Sequence, residues 1–156
     1  MRSLGVDLSL ASCGVAVVED DRLLFVATVK PDKGASQARK RSAVLRVVKA
    51  LWSKYTFGAI VLEKARLFTS GVNVPLFSIE AIISLSTTIE DWASAEEVPV
   101  YKVAVNSWRK VVLGSGRAQK KDAVRYVEKR HDKRLKEDAA EAVCLAHYGV
   151  MVNGKQ

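Results

Sequence analysis

The chain has 156 residues, about half of them hydrophobic, which is enough for one compact domain with a real core. Its start, Met1-Arg2-Ser3-Leu4, runs into a strand pattern rather than a signal peptide, and no apolar run approaches the ~18 residues of a membrane span, so a cytoplasmic protein without membrane association is expected. The formal net charge of +8 points to a polyanionic partner, and nucleic acid is the natural one.

The basic balance is uneven. Between Lys102 and Lys136 twelve Lys or Arg stand against three acids, more than the whole excess of the chain. The bland alternative is a solvated, Lys/Arg-rich helix surface. Cys13 and Cys144 fit no metal-ligand spacing and read as buried free thiols of a reducing compartment.

Residues 3–10, 13–19 and 22–30 read as three β-strands, with Glu19-Asp20-Asp21 as the tight turn between the last two. Short connections make them an antiparallel meander. Residues 36–56 read as a helix, with Val44, Val47, Val48, Leu51 and Tyr55 at helical spacing. Its basic residues, Arg39, Lys40, Arg41, Arg46, Lys49 and Lys54, read as a solvated side rather than a second nucleic-acid surface. A strand at 58–63 and a polar loop at 64–74 follow. A helix over 76–94 places Ile79, Ile82, Ile83, Ser86 and Ile89 on one face, and a fifth strand spans 98–103. Asn106 or Ser107 is expected to cap a helix over 108–113. Gly114-Ser115-Gly116 breaks the chain before helices over 117–131 and 137–150. The order βββ-α-β-α-β-α-α-α implies an α/β fold: a mixed five-stranded sheet, three antiparallel strands and then parallel additions, flanked by helices.

Asp7 sits in the otherwise apolar run Leu4-Gly5-Val6-Asp7-Leu8-Ser9-Leu10, where an unpaired carboxylate costs several kcal/mol. Glu63 ends the similar run Phe57-Gly58-Ala59-Ile60-Val61-Leu62-Glu63. If their strands are neighbours, the two acids approach each other. Asp138 and Glu141, three apart, share a face of the last helix and can be laid against them. Four hard oxygen donors suit Mg²⁺ or Mn²⁺ rather than Zn²⁺, and two such ions support phosphodiester hydrolysis. Singly, each acid has an ordinary explanation. Asp7 and Glu63 stand at strand ends, and Asp138 and Glu141 suit a helix N-terminus through its dipole.

These motifs together resemble the RuvC-type Holliday junction resolvases of the RNase H-like superfamily. Leu4-Gly5-Val6-Asp7, with Gly14 seven residues after the acid, is similar to the family's first motif, and Ala59-Ile60-Val61-Leu62-Glu63 to its second. Val111 to Lys121 resembles its basic loop and helix start, and Asp138-Ala139-Ala140-Glu141-Ala142 its last. The resemblance spans about residues 3–148. It implies one RNase H-like nuclease domain over 1–156 and a homodimer. It implies Mg²⁺-dependent cleavage of four-way and other branched DNA, with two ions per site and Mn²⁺ as a substitute. It implies metal-binding, catalytic roles for Asp7, Glu63, Asp138 and Glu141. Leu8-Ser9 replaces the family's usual Pro-Gly, Glu141 stands where Asp is usual, and Phe68 lies five residues after Glu63. These departures look more like bacteriophage members than bacterial ones.

Within that resemblance, Lys120 is a catalytic clamp on developing charge, at a helix N-terminus fed by the Gly114-Ser115-Gly116 loop. Its alternative is a solvated lysine. Arg109 by position, and Arg117, Lys121 and Arg125, are candidate DNA contacts, as is Arg66. Phe68 either stacks on a base opened at the branch point or packs under its loop. Trp108 reads as a core anchor. A two-fold junction suits a C2 dimer, for which helix 76–94 has the apolar content. A ribonuclease H acting on RNA–DNA hybrids and a non-catalytic branched-DNA-binding module remain as alternatives.

Overall fold

The computed structural model describes residues 1–66, 68–69 and 72–154, with the side chains of 68, 69, 72 and 73 outside that description. Three strands, β1 (Arg2–Asp7), β2 (Cys13–Glu19) and β3 (Arg22–Val29), form the antiparallel meander. Asp20 turns between the last two at φ 51°. Helix α1 (Gln37–Tyr55) starts where the Ser36 hydroxyl accepts the Arg39 N–H at 3.2 Å and stops at left-handed Thr56. Its buried stripe is Val44, Val48 and Leu51. Strand β4 (Ile60–Glu63) pairs parallel to β1, and helix α2 (Leu76–Ala95) leads to β7 (Val100–Val103), parallel to β4. The sheet order is β3-β2-β1-β4-β7, the expected mixed five-stranded sheet.

Helices α3 (Val105–Leu113), α4 (Lys120–His131) and α5 (Glu137–Asn153) complete the fold. Two apolar cores face away from each other across the sheet. One joins Leu4, Val6 and Val15 to α1 and α2, and the other joins Ala16, Val18 and Val61 to α3, α4 and α5. Trp52 and Trp92 close the first as an aromatic group with Phe57, at ring distances of 5.2 and 6.3 Å. Helix α5 is buried along most of its length and rich in alanine, so it lies close to β1 and β2. A Cβ on Gly5 would collide with the Ala142 carbonyl, and one on Gly14 with the Asp138 carbonyl. Both Cys13 and Cys144 are buried free thiols. No helix among the described residues is long and apolar enough to cross a membrane.

Several expected boundaries are corrected. The first strand ends at Asp7 rather than at 10, because the Ser9 hydroxyl accepts the Ala11 and Ser12 N–H groups, both at 3.3 Å, and bends the chain. The segment expected as a plain loop at 64–74 contains an antiparallel ribbon, β5 (Phe68–Thr69) and β6 (Val72–Asn73). Helix α3 begins three residues early, because the Ala104 carbonyl accepts the Ser107 and Trp108 N–H groups; neither Asn106 nor Ser107 is its cap. Helix α4 begins at Lys120 rather than 117, since Ser115 holds residues 115–118 in a turn. On α2, Ile79, Ser86 and Ile89 face the core with Leu85, but Ile83 points outward, 51% exposed.

Candidate active site

Val6 pairs with Leu62 across β1 and β4, so the next residues, Asp7 and Glu63, end adjacent parallel strands side by side. Connections leave β1 toward β2 on one side and β4 toward β7 on the other. The two acids thus sit at the point where the strand order reverses, the usual place for a site in such sheets. Asp7, Glu63, Glu141, Lys64, Arg66 and Lys120 line one cavity of about 260 Å³.

Three of the four acids are held by partners. Glu63 accepts the Trp108 indole N–H at 2.7 Å through Oε2, and Arg66 at 3.2 Å through Oε1. Trp108 is fully buried, so it is the core anchor expected and also fixes this carboxylate. Glu141 is 4% exposed and accepts the Arg109 guanidinium at 2.6 Å, with Lys120 Nζ 3.7 Å from its other oxygen. Asp138 accepts the Ser12 hydroxyl at 2.7 Å. Gly14 allows the α5 backbone at Asp138 to press against β2, which brings this acid to the sheet.

Asp7 differs. Among the described residues no donor reaches its partly buried carboxylate. Burial, reinforced by the charges of Glu141, Glu63 and Asp138 and only partly opposed by Lys120, pushes its pKa from the ordinary carboxylate range up to about 8. Among the described residues no three His, Cys, Asp or Glu side chains already stand as a ready-made metal cage. The donor set nevertheless fits a hard divalent cation. It is all carboxylate oxygen, and Asp7 lacks the cationic partner that Glu63 and Glu141 have. A bound cation would supply it.

Arg109 is corrected outright. It is 8% exposed, and its other terminal nitrogen donates to the Ala118 carbonyl at 2.7 Å. Its cation holds Glu141 and the α3–α4 connection and is buried, where a backbone contact was expected to be exposed. The loop expected to feed an open helix N-terminus is also different. Gly114 closes α3 at φ 82°, and Asp122 accepts the Gln119 N–H at 2.7 Å, so α4 caps its own start. Lys120 still reaches the cavity, by its side chain. Lys121 is exposed, and Arg117 and Arg125 line a neighbouring basic groove of about 520 Å³ between α3 and α4. Arg66 is exposed beside Glu63. The expectation for the Phe68 side chain lies outside the described residues. His147 is buried against His131, their Nε2 atoms 2.9 Å apart, in the α4–α5 contact.

Sequence reasoning missed Ser12 and the acid-holding roles of Trp108 and Arg109. The indole contact joins residues 45 apart and the hydroxyl contact residues 126 apart, so no local pattern announces them. Gly14 was the one available signal for the approach of Asp138.

No protein-family model matches the chain, and no curated protein matches it. Among solved structures it is similar to Thermus thermophilus RuvC, with TM-score 0.81 and 18% identity over 99% of this chain and 96% of that one. It is similar to T. thermophilus RuvC in complex with a Holliday junction substrate, with TM-score 0.78 and 18% identity over 95% and 92%. It is also similar to the yeast mitochondrial Holliday junction resolvase, with TM-score 0.63 and 12% identity over 94% and 76%. The chain therefore has the RuvC-type, RNase H-like fold.

Proposed function

We propose that this chain is a metal-dependent, structure-selective DNA endonuclease that cuts branched DNA, four-way junctions among its substrates. The observation that carries this reading is Asp7, partly buried and without an ion-pair partner among three further acids at the switch point of a RuvC-type sheet. The fold it shares with a protein solved on a Holliday junction supports the substrate class.

Asp7 is the central anchor for Mg²⁺, with Glu63, Asp138 and Glu141 as further ligands. When bound, such ions activate water and stabilise the leaving oxygen of a phosphodiester. The protein's own contribution is orientation and charge. Trp108 aims Glu63, Ser12 aims Asp138, and Arg109 holds Glu141 in its buried place. Lys120 presents its ammonium to the non-bridging oxygens of the scissile phosphate, where negative charge grows. Arg66, Arg117, Lys121 and Arg125 hold flanking phosphates, which gives affinity without reading sequence.

Residues 1–156 act as one nuclease unit in this reading, and two copies make the symmetric pair of cuts. The exposed Leu76, Phe77 and Ile83 of α2 support a second copy as the partner of that surface. The departures after Asp7 and Glu63 fit a bacteriophage member. The test is cleavage of labelled four-way junction, linear duplex and RNA–DNA hybrid, each with Mg²⁺ and with EDTA. Junction cutting that requires the metal is expected. Preferential hybrid cutting favours a ribonuclease, and junction binding without cutting favours a binding module.

A further inference from the structure

Helix α1 carries six cations, Arg39, Lys40, Arg41, Arg46, Lys49 and Lys54, and no acid. Within it, Arg39, Ser42, Arg46, Lys49 and Ser53 recur at three- and four-residue steps, and all five are exposed. They form one stripe of cations and hydroxyls along the outer face, about 21 Å long at 1.5 Å per residue. Lys30, Arg39, Ser42 and Arg46 line an open groove of about 450 Å³ at its head, with Asp32 as the one acid there.

Structural stability does not account for this arrangement. A helix N-terminus favours acids, yet Arg39, Lys40 and Arg41 stand in the first turns and no acid does. Arg46 and Lys49 are like charges three apart, which disfavours a helix. Among the described residues none of the six is within ion-pair distance of a carboxylate. On α3 and α4, Arg109, Lys120, Arg125 and Arg130 have acidic partners while Lys110, Lys121 and Lys129 have none among the described residues, so α1 is the helix whose cations all lack one. The α1 cations thus have no carboxylate partner among the described residues.

The position of the stripe says which partner. Val29, the last residue of β3, is in register with Cys13, and the next residue, Gly14, pairs with Asp7. The chain therefore enters α1 at the same end of the sheet as the acids. Gln37 and Lys40 share a cavity with Ser9, Leu10 and Ala11 of the turn after Asp7. From there α1 runs back across the opposite layer from α4. The basic groove of α3–α4 and the α1 stripe thus flank the acids from two sides of the sheet.

We infer that the exposed face of α1 is a second, sequence-independent binding surface for the phosphate backbone of duplex DNA, gripping an arm of the substrate as it leaves the acid site. This rests on the branched-DNA reading above, and it extends that reading from one basic surface to two. Guanidinium and ammonium groups at regular intervals, with the Ser42 hydroxyl among them, are the donors that phosphate contacts use.

The test is fluorescence-anisotropy binding of a long-armed four-way junction in EDTA over a salt series. It compares wild type, R39Q/R46Q/K49Q, and the charge-preserving R39K/R46K. The triple variant is expected to bind more weakly and to lower the salt slope by about one for each charge removed, about three in all, while the charge-preserving protein keeps the wild-type slope. R46Q alone, which changes one exposed side chain, is expected to lower it by about one and serves if the triple variant folds poorly. An unchanged slope in R46Q and the triple variant, with wild type binding normally, overturns the α1 surface and leaves the nuclease reading standing. Wild type that binds no junction overturns both. Loss of binding only to phosphatidylserine vesicles, with junction binding intact, overturns the inference in favour of an anionic membrane surface.

Discussion

At the scale of single residues, the site is a set of acids that differ in what holds them. Glu141 is buried and depends on Arg109, whose cation it accepts at 2.6 Å. Replacing Arg109 with Met keeps the bulk and leaves the buried carboxylate with Lys120 alone, 3.7 Å from its other oxygen. Arg109→Met is expected to cost about 3–5 kcal/mol in denaturant unfolding, and adding Glu141→Gln should recover part of it. Asp7 gives the opposite sign. Its folded-state pKa, about 8, lies above that of an unfolded carboxylate, so the folded state holds a proton that the unfolded state releases. That contribution is complete below the unfolded value and is lost as pH rises through about 8. In EDTA, therefore, the melting temperature of Asp7→Asn relative to wild type should be higher at pH 8 than at pH 5. The gap widens by at most about 1.4 kcal/mol per pH unit. The acid types and positions were legible from sequence, because a carboxylate in an apolar strand stands out. The role of Arg109 was not. Its spacing in a basic segment says nothing about the direction in which α3 presents it.

At the scale of elements, the close seating of α5 on β1 and β2 sets where Asp138 and Glu141 arrive. Gly5 and Gly14 allow it, and Gly14 is the one against Asp138. Gly14→Ala is expected to cost about 1–3 kcal/mol by overpacking. It should also reduce junction cleavage while leaving junction binding in EDTA near wild type, because it displaces Asp138 and no proposed DNA contact. Paired melting and turnover measurements check this. The strands of the main sheet and the long helices were readable, since period and apolar runs persist over enough residues to be seen. The β5–β6 ribbon was not, because two-residue strands have no period. The start of α3 was misplaced because Ala104 provides no capping side chain, and the first turn forms through backbone bonds alone.

At the scale of the whole molecule, two basic surfaces on opposite sides of the sheet flank one acid cluster, and exposed apolar residues on α2 form the surface proposed to take a second copy. Placing charge in that patch, Phe77→Glu with Ile83→Glu, should convert the proposed dimer to a monomer in light scattering with the fold intact. A wild-type monomer at working concentration would remove the paired-cut geometry. The central claim is that the acid cluster around Asp7 performs the chemistry and is separable from DNA capture. Its most direct measurement is single-turnover cleavage of a four-way junction by Asp7→Asn in Mg²⁺, alongside junction binding in EDTA. Loss of cleavage with binding retained is the predicted result, and undiminished cutting by Asp7→Asn would contradict the account.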